Sequence, residues 1–156
     1  MNSTRKKFKI ISGGQTGVDR AALDVALEFN IPCGGWCPRG RRAEDGTIDL
    51  KYPLQEIDSY EYAVRTELNV KNSDGTLIFA WGQPKSGTLL TLKLAKSYQK
   101  PHFIVDMKQN LSANAVVLWI KRNNIKVLNI AGPRQSFGSF VYKDAYNFMK
   151  EILRLL

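Results

Sequence analysis

Short apolar runs alternate along the chain with longer segments of helical periodicity. The apolar runs predict five strands, at residues 8–11, 31–37, 75–81, 102–106 and 126–132. Apolar positions spaced three or four residues apart predict five helices, at residues 18–29, 60–71, 87–99, 112–122 and 140–156. Because strands that alternate with helices of this length usually form a parallel sheet covered on both faces, the pattern predicts a doubly wound α/β fold.

The length and composition are typical of one globular domain. The chain has 156 residues, of which 44% are hydrophobic and 24% charged, so we expect one domain over residues 1–156, with residues 1–7 as a basic tail. Its longest apolar stretches, such as residues 113–120, are far shorter than the ~20 residues that a bilayer span needs. The basic N-terminus leads into a strand and not into an export signal. We therefore expect a cytoplasmic protein without a membrane anchor.

The formal net charge of +9 is compatible with two kinds of partner. A basic surface can bind nucleic acid, and residues 5–9 (RKKFK) form a local basic cluster. No base-reading motif accompanies this charge, so nucleic-acid binding ranks last among the functions considered. A basic protein can equally hold a small polyanion.

The chain contains two cysteines, Cys33 and Cys37, and one histidine, His102. In an extended segment the two cysteines lie too far apart for a disulfide, although the two glycines between them could bend the chain. Free thiols are therefore the favoured interpretation. Because His102 is remote in sequence from both cysteines, no protein-built metal site is expected.

Glycines and small polar residues follow the first predicted strand. In doubly wound folds, ligands bind at the carboxyl ends of the strands, where the N-terminus of the next helix favours an anion. Residues 12–17 (SGGQTG) occupy this position, but they match neither G-x-G-x-x-G nor a Walker sequence. A tight turn before a capped helix is an equal alternative. The candidate binding residues are Ser12, Gly13, Gly14, Gln15, Thr16 and Gly17.

Two further strand ends and one long loop offer similar groups. Residues 86–88 begin the helix after the third strand, with Ser86 as its expected N-cap. An arginine after the fifth strand has the planar guanidinium that suits phosphate oxygens. Three loop arginines after the second strand either cover a phosphate or belong to a solvated loop of mixed charge. The candidates at these places are Ser86, Gly87, Thr88, Arg134, Arg39, Arg41 and Arg42.

Six motifs, in this order and at these separations, carry a family resemblance. They are SGGQTGVDRAALDVA, CPRGRRAEDGTI, YPLQE, RTELNVKNSDGTLI, SGTLLT and LNIAGPRQS. Over about residues 10–136 the sequence resembles the putative molybdenum carrier family. The resemblance implies a Rossmann-like fold, related to the lysine-decarboxylase-like proteins and the cytokinin riboside phosphoribohydrolases. It also implies a homo-oligomer, either a dimer or a tetramer.

The same resemblance implies a ligand and a delivery partner. The ligand is the molybdenum cofactor, a pterin (molybdopterin) with a terminal phosphate and a dithiolene-held metal. The implied binding positions are the candidate residues of the first turn, the arginine loop, residues 86–88 and Arg134. A molybdoenzyme or a cofactor-insertion protein would receive the cofactor.

One departure from the related phosphoribohydrolases favours binding over catalysis. Those enzymes carry P-G-G-x-G-T-x-x-E, whose glutamate belongs to the catalytic machinery, whereas Thr91 stands at that position here. A threonine cannot supply a carboxylate for acid or base chemistry, so no catalytic residue is predicted. Asp19, Glu67 and Asp74 could replace it, although each also has a plain structural interpretation. A nucleotide-binding protein or a phosphoribohydrolase-like enzyme therefore remains the alternative.

Overall fold

The computed structural model describes residues 7–156, so the expected basic tail lies, apart from Lys7, outside the described residues. The elements in chain order are β1 (Lys9–Ile11), α1 (Val18–Glu28), β2 (Cys33–Gly34), β3 (Trp36–Cys37), β4 (Arg42–Ala43), β5 (Gly46–Thr47), β6 (Gln55–Glu56), α2 (Tyr62–Lys71), β7 (Gly75–Ala80), α3 (Ser86–Ser97), β8 (His102–Asp106), α4 (Ala113–Arg122), β9 (Val127–Ala131) and α5 (Val141–Leu155). Short 3₁₀ turns occupy Arg39–Arg41 and Gln135–Phe137.

The main sheet contains five parallel strands in the order β2–β1–β9–β7–β8. The last strand along the chain, β9, therefore lies at the centre, where it pairs with β1 on one side and β7 on the other. Ile10 lies opposite Leu128, and Leu77 lies opposite Ile130. If β9 and α5 preceded β1 in the chain, the order would read 3-2-1-4-5, the usual Rossmann order. In that order, successive strands are added first on one side of β9 and then on the other. The switch point lies between β9 and β7, and a ligand crevice is expected there.

Helices cover both faces of the sheet. One face carries α1, α4 and α5, which pack together over a core that includes Leu77 and Phe79. Because side chains alternate along a strand, Ile78 points to the opposite face, where α2 packs against α3. All six residues of β7 are buried, as expected for a strand inside a sheet that is covered on both sides. The predicted doubly wound, Rossmann-like α/β fold is confirmed.

The predicted second strand is wrong in its extent. Residues 31–37 were expected to form one strand, but only Cys33–Gly34 pairs with β1, and Trp36–Cys37 pairs with β6 in a separate two-stranded sheet. The break falls at Gly35, whose φ is +126°. A Cβ at this position would lie 2.1 Å from the backbone oxygen of Ser12, so only glycine fits. Both cysteines are free thiols.

The long loop after β3 is more ordered than its sequence suggested. It contains the hairpin formed by β4 and β5 and then the short strand β6. A small apolar cluster beneath it includes Leu23, Ile48 and Leu54. This cluster anchors the loop on α1 beside the carboxyl end of β1. No helix among residues 7–156 has the length and apolar character to cross a membrane.

Candidate functional site

A cavity of about 420 Å³ lies at the carboxyl ends of the central strands. It is bordered by the turn after β1, the ends of β7 and β9, one side of α2 and the first turn of α3. This is the crevice beside β9 where the strand order reverses. Its volume is within the ~300–1,000 Å³ range of small-molecule sites, and it is therefore the candidate site.

The backbone of the glycine turn after β1 is already satisfied by the protein. The N–H groups of Gly14, Gln15 and Thr16 donate to Ser12 Oγ, Asp19 Oδ2 and Gln15 Oε1. The turn therefore presents few free N–H groups to an anion. Of its six candidate residues, only Gly13 and Gln15 line the cavity.

The other glycines of this turn allow close packing within the protein. A Cβ on Gly14, whose φ is +75°, would lie 2.4 Å from Leu54 Cδ1. A Cβ on Gly17 would lie 2.6 Å from the carbonyl oxygen of Pro133. Thr16 joins separate loops, because its hydroxyl donates to Glu44 and accepts from the Gln135 N–H at 3.1 Å. These residues build the wall that positions Gln15.

Gln15 lines the cavity and has a buried donor without a partner. Its Oε1 accepts hydrogen bonds from the N–H groups of Thr16 at 3.0 Å and Glu44 at 2.9 Å. Its Nε2 is buried and has no hydrogen-bond partner within residues 7–156. The residue as a whole is 5% exposed and lines the cavity. A buried donor without a partner costs about 1–3 kcal/mol, so this amide can gain a hydrogen bond from a ligand acceptor.

A buried carboxylate and a buried guanidinium lie beside Gln15. Asp19 Oδ2 is 3.9 Å from Nη1 of Arg65, and the same nitrogen donates to the Gly13 carbonyl at 2.8 Å. Burial raises the pKa of Asp19 to about 6, and the nearby Arg65 charge opposes this rise. Both side chains line the cavity. The sequence analysis missed Arg65, because the sequence alone does not distinguish a buried arginine on a helix from an exposed one.

The first turn of α3 is open to the cavity. The N–H groups of Ser86 and Gly87 have no partner in the described chain, whereas those of Thr88 and Leu89 donate to Lys85 O. Ser86 was expected as the N-cap, but Lys85 occupies that position and no side chain caps the helix. A Cβ on Gly87 would meet nothing within 4 Å. An uncapped helix N-terminus beside a cavity favours an anionic group.

Arg134 reaches the cavity from the end of β9, but an internal carboxylate lies beside it. Glu44 accepts hydrogen bonds from Ser136 N at 3.0 Å and Ser136 Oγ at 2.7 Å, and its Oε2 is 3.9 Å from Nη1 of Arg134. Burial opposes ionisation of Glu44, but bonds from Thr16 and Ser136 hold its pKa below the usual value. The guanidinium of Arg134 also lies over the Tyr62 ring, 5.3 Å from its centroid.

The three loop arginines do not line the cavity. The guanidinium of Arg41 is buried and donates to four backbone carbonyls of its own loop, so it holds the loop together. Arg39 pairs with Asp58 at 3.3 Å and is largely exposed. Arg42 donates to the Tyr60 carbonyl and stacks 4.8 Å from the centroid of the Tyr62 ring. The structure therefore does not bring these arginines together around an anion.

The carboxylates considered as replacements for the missing glutamate occupy different places. Thr91 lines the cavity, and its hydroxyl donates to the Gly87 carbonyl within α3. Glu67 accepts from the Tyr98 hydroxyl, and Asp74 accepts from backbone N–H groups at the start of β9. Neither lines the cavity, so Asp19 is the carboxylate at this site.

An aromatic group borders the mouth of the cavity. Trp81 follows β7, and its ring centroid is 6.4 Å from that of Phe137, which is 47% exposed. Both residues line the cavity. A half-exposed aromatic surface of this kind can contact the face of a planar ring.

The fold and the position of the cavity define a Rossmann-like ligand-binding α/β protein. Residues 10–153 match the model of the circularly permutated YpsA SLOG family, and the chain belongs to that family. The permutation agrees with the strand order, in which moving β9 and α5 to the front restores the usual arrangement.

A solved structure supports the same assignment. The crystal structure of a protein from Syntrophus aciditrophicus, described as a putative molybdenum carrier protein, is 44% identical to this chain. The match covers 93% of this chain and 94% of that one, with a TM-score of 0.88. The resemblance to the molybdenum carrier proteins is therefore confirmed. Comparison with curated proteins gives no significant match.

Proposed function

We propose that this protein binds and carries the molybdenum cofactor, held in the cavity by its pterin and its terminal phosphate. The observation that carries the proposal is the open first turn of α3, where the N–H groups of Ser86 and Gly87 have no partner within residues 7–156. The name of the Syntrophus aciditrophicus relative supports a molybdenum-related ligand.

The charges around the cavity suit a phosphate at this place. Lys85 precedes the open turn, and Arg134 reaches the cavity from the end of β9. A dianionic phosphate would accept hydrogen bonds from the helix N-terminus and gain from both cations. The Trp81 and Phe137 rings would contact the planar pterin. In this proposal the cofactor is cargo, which the protein holds without transforming it.

The remaining expectations belong to the same proposal. A homo-oligomer, either a dimer or a tetramer, would carry the cofactor in the cytoplasm. A molybdoenzyme or a cofactor-insertion protein would receive it. These statements rest on the family resemblance.

Two measurements test the carrier proposal. The first is mass spectrometry of any small molecule that copurifies under native, anaerobic conditions, which should identify a phosphorylated pterin. The second is a titration of a fluorescent pterin phosphate against Lys85→Ala and its matched control Lys93→Ala, which removes the same charge from an exposed site on the same helix. We expect Lys85→Ala alone to weaken binding. Equal weakening by both variants would point to general charge and contradict the proposed site.

A second candidate function is hydrolysis of a nucleotide-derived substrate. The observation in its favour is the Asp19 carboxyl, which lies in the cavity with a pKa of about 6, close to the range of a general acid or base. Incubation with nucleoside monophosphates, followed by chromatography, separates the two functions. Release of a free base that Asp19→Asn abolishes would favour the enzyme over the carrier.

A further inference from the structure

The wall of the cavity below the glycine turn has a fixed hydrogen-bond donor. Gln15 Oε1 already accepts two backbone N–H groups, from Thr16 and Glu44. Flipping the amide would place the NH₂ group against these two donors, so its orientation is determined by the surrounding backbone. The Nε2 group is therefore the donor of this side chain, and it has no hydrogen-bond partner within residues 7–156.

An acceptor lies on the same wall. The Asp19 carboxylate contacts the Gln15 backbone, because its Oδ2 accepts the Gln15 N–H at 3.3 Å, and both side chains line the cavity. The two asparagines that also line it are engaged elsewhere. Asn69 exchanges two hydrogen bonds with the Trp36 backbone, and Asn129 Nδ2 donates to Thr76 at 3.3 Å. Gln15 and Asp19 thus provide a donor and an acceptor on this wall.

We propose that Gln15 and Asp19 recognise the lactam edge of a heterocycle, a ring carbonyl next to a ring N–H, as in 2-amino-4-oxopteridines and guanine. The Gln15 Nε2 donates to the ring carbonyl, and the Asp19 carboxylate accepts the ring N–H. The inference rests on the proposed function, since it assigns the ring end of the ligand whose phosphate lies at α3.

The same wall discriminates against an amino-substituted ring. Replacing the carbonyl by an amino group sets a donor against the Gln15 donor. The adjoining ring nitrogen then loses its proton and sets a lone pair against the Asp19 carboxylate. Because both contacts change from attractive to repulsive, the wall selects by hydrogen-bond pattern and not by ring size.

The test compares two probes that differ only at this edge. They are 6-hydroxymethylpterin phosphate and its 2,4-diamino counterpart, titrated calorimetrically against the unaltered protein. We expect the oxo compound to bind at least about tenfold more tightly, since each lost hydrogen bond is worth about that factor. Equal affinities would overturn the inference but leave the carrier proposal standing. If neither probe nor inorganic phosphate binds, the carrier proposal itself fails.

Two variants assign the discrimination to these residues. Gln15→Glu keeps an oxygen for the Thr16 and Glu44 N–H groups and replaces the NH₂ donor by a charged acceptor oxygen, and Asp19→Asn removes the carboxylate charge. Each should reduce the preference for the oxo probe to a few-fold, while inorganic phosphate binding is retained. The matched control is Asp24→Asn, which removes a carboxylate from the same helix. Asp24 accepts hydrogen bonds from the Tyr52 and Tyr142 hydroxyls and does not line the cavity.

Thermal melting of each variant accompanies the titrations. A preference that survives in folded Gln15→Glu or Asp19→Asn would refute the assignment. If a variant does not fold, the comparison of the two probes in the unaltered protein still decides whether the edge is read.

Discussion

Replacing Asp19 by asparagine should change how the stability of the protein depends on pH. Folding moves this carboxyl from water into the cavity wall, and the burial raises its pKa from 3.8 to about 6. The folded state therefore holds the proton more tightly than the unfolded state. At low pH both states are protonated and burial carries no ionic penalty. As the pH rises from about 4 to about 6, the unfolded state ionises while the folded state keeps its proton, so stability is lost until the buried carboxyl also ionises.

The size of this loss follows from the two pKa values. The difference between 3.8 and about 6, at about 1.4 kcal/mol per pH unit, corresponds to about 3 kcal/mol. The free energy of unfolding of the wild-type protein should fall by this amount, relative to Asp19→Asn, between about pH 4 and pH 7. Asparagine has no proton to lose, so the variant lacks this contribution at every pH.

Urea unfolding of both proteins at several pH values measures the difference directly. Asp45→Asn is an informative comparison, because the hydrogen bond from Arg20 lowers the pKa of Asp45 and its contribution should instead be lost as the pH falls. Parallel pH profiles for wild type and Asp19→Asn would refute the reasoning. A relative gain of wild-type stability with rising pH would mean that Arg65 outweighs burial.

The remaining predictions concern ligand affinity, backbone fit and assembly. Arg134→Ala should weaken pterin phosphate binding by roughly tenfold to 150-fold, with partial rescue by lysine; an unchanged Kd by calorimetry would exclude a direct contact. Glu44→Gln should tighten inorganic phosphate binding several-fold, because the Glu44 carboxylate no longer competes with phosphate for Ser136 and Arg134. Weaker binding would contradict this competition. Gly87→Val should block the ligand without lowering Tm, whereas Gly14→Ala should lose about 1–3 kcal/mol of stability to a positive φ and a clash with Leu54, both checked by melting and titration. Sedimentation velocity should find a species larger than the 17.6 kDa chain at micromolar concentration, and a monomer would contradict the family expectation.

The sequence predicted the elements of this fold better than their arrangement. The strand at residues 102–106 and the helix that begins at Val18 follow from local periodicity and turn residues, and both lie where expected. The departure of the chain from the sheet at Gly35 depends on a close approach to Ser12, which no local pattern records. The insertion of β9 between β1 and β7 is equally non-local, so the strand order could not be predicted.

The candidate site divides in the same way. Chain position after a strand was enough to suggest that residues 13, 87 and 134 border one crevice, and all three line the cavity. The contacts that each side chain makes could not be predicted from the sequence. Arg41 and Arg134 both follow predicted strands. The guanidinium of Arg41 donates to four backbone carbonyls of its own loop, whereas Arg134 lines the cavity. Burial of Asp19 beside Arg65 depends on a helix 46 positions further along the chain.

The central position of β9 also determines when the protein can become folded during its synthesis. As the chain leaves the ribosome, β1 can pair with β2 and β7 can pair with β8, but these two halves share no strand until Val127–Ala131 emerges. Until then Ile10 and Leu77 lie on open edges that can pair with other nascent chains. Closure of the sheet is therefore a long-range step, and the ligand crevice beside β9 cannot exist before residues 127–131 have been synthesised.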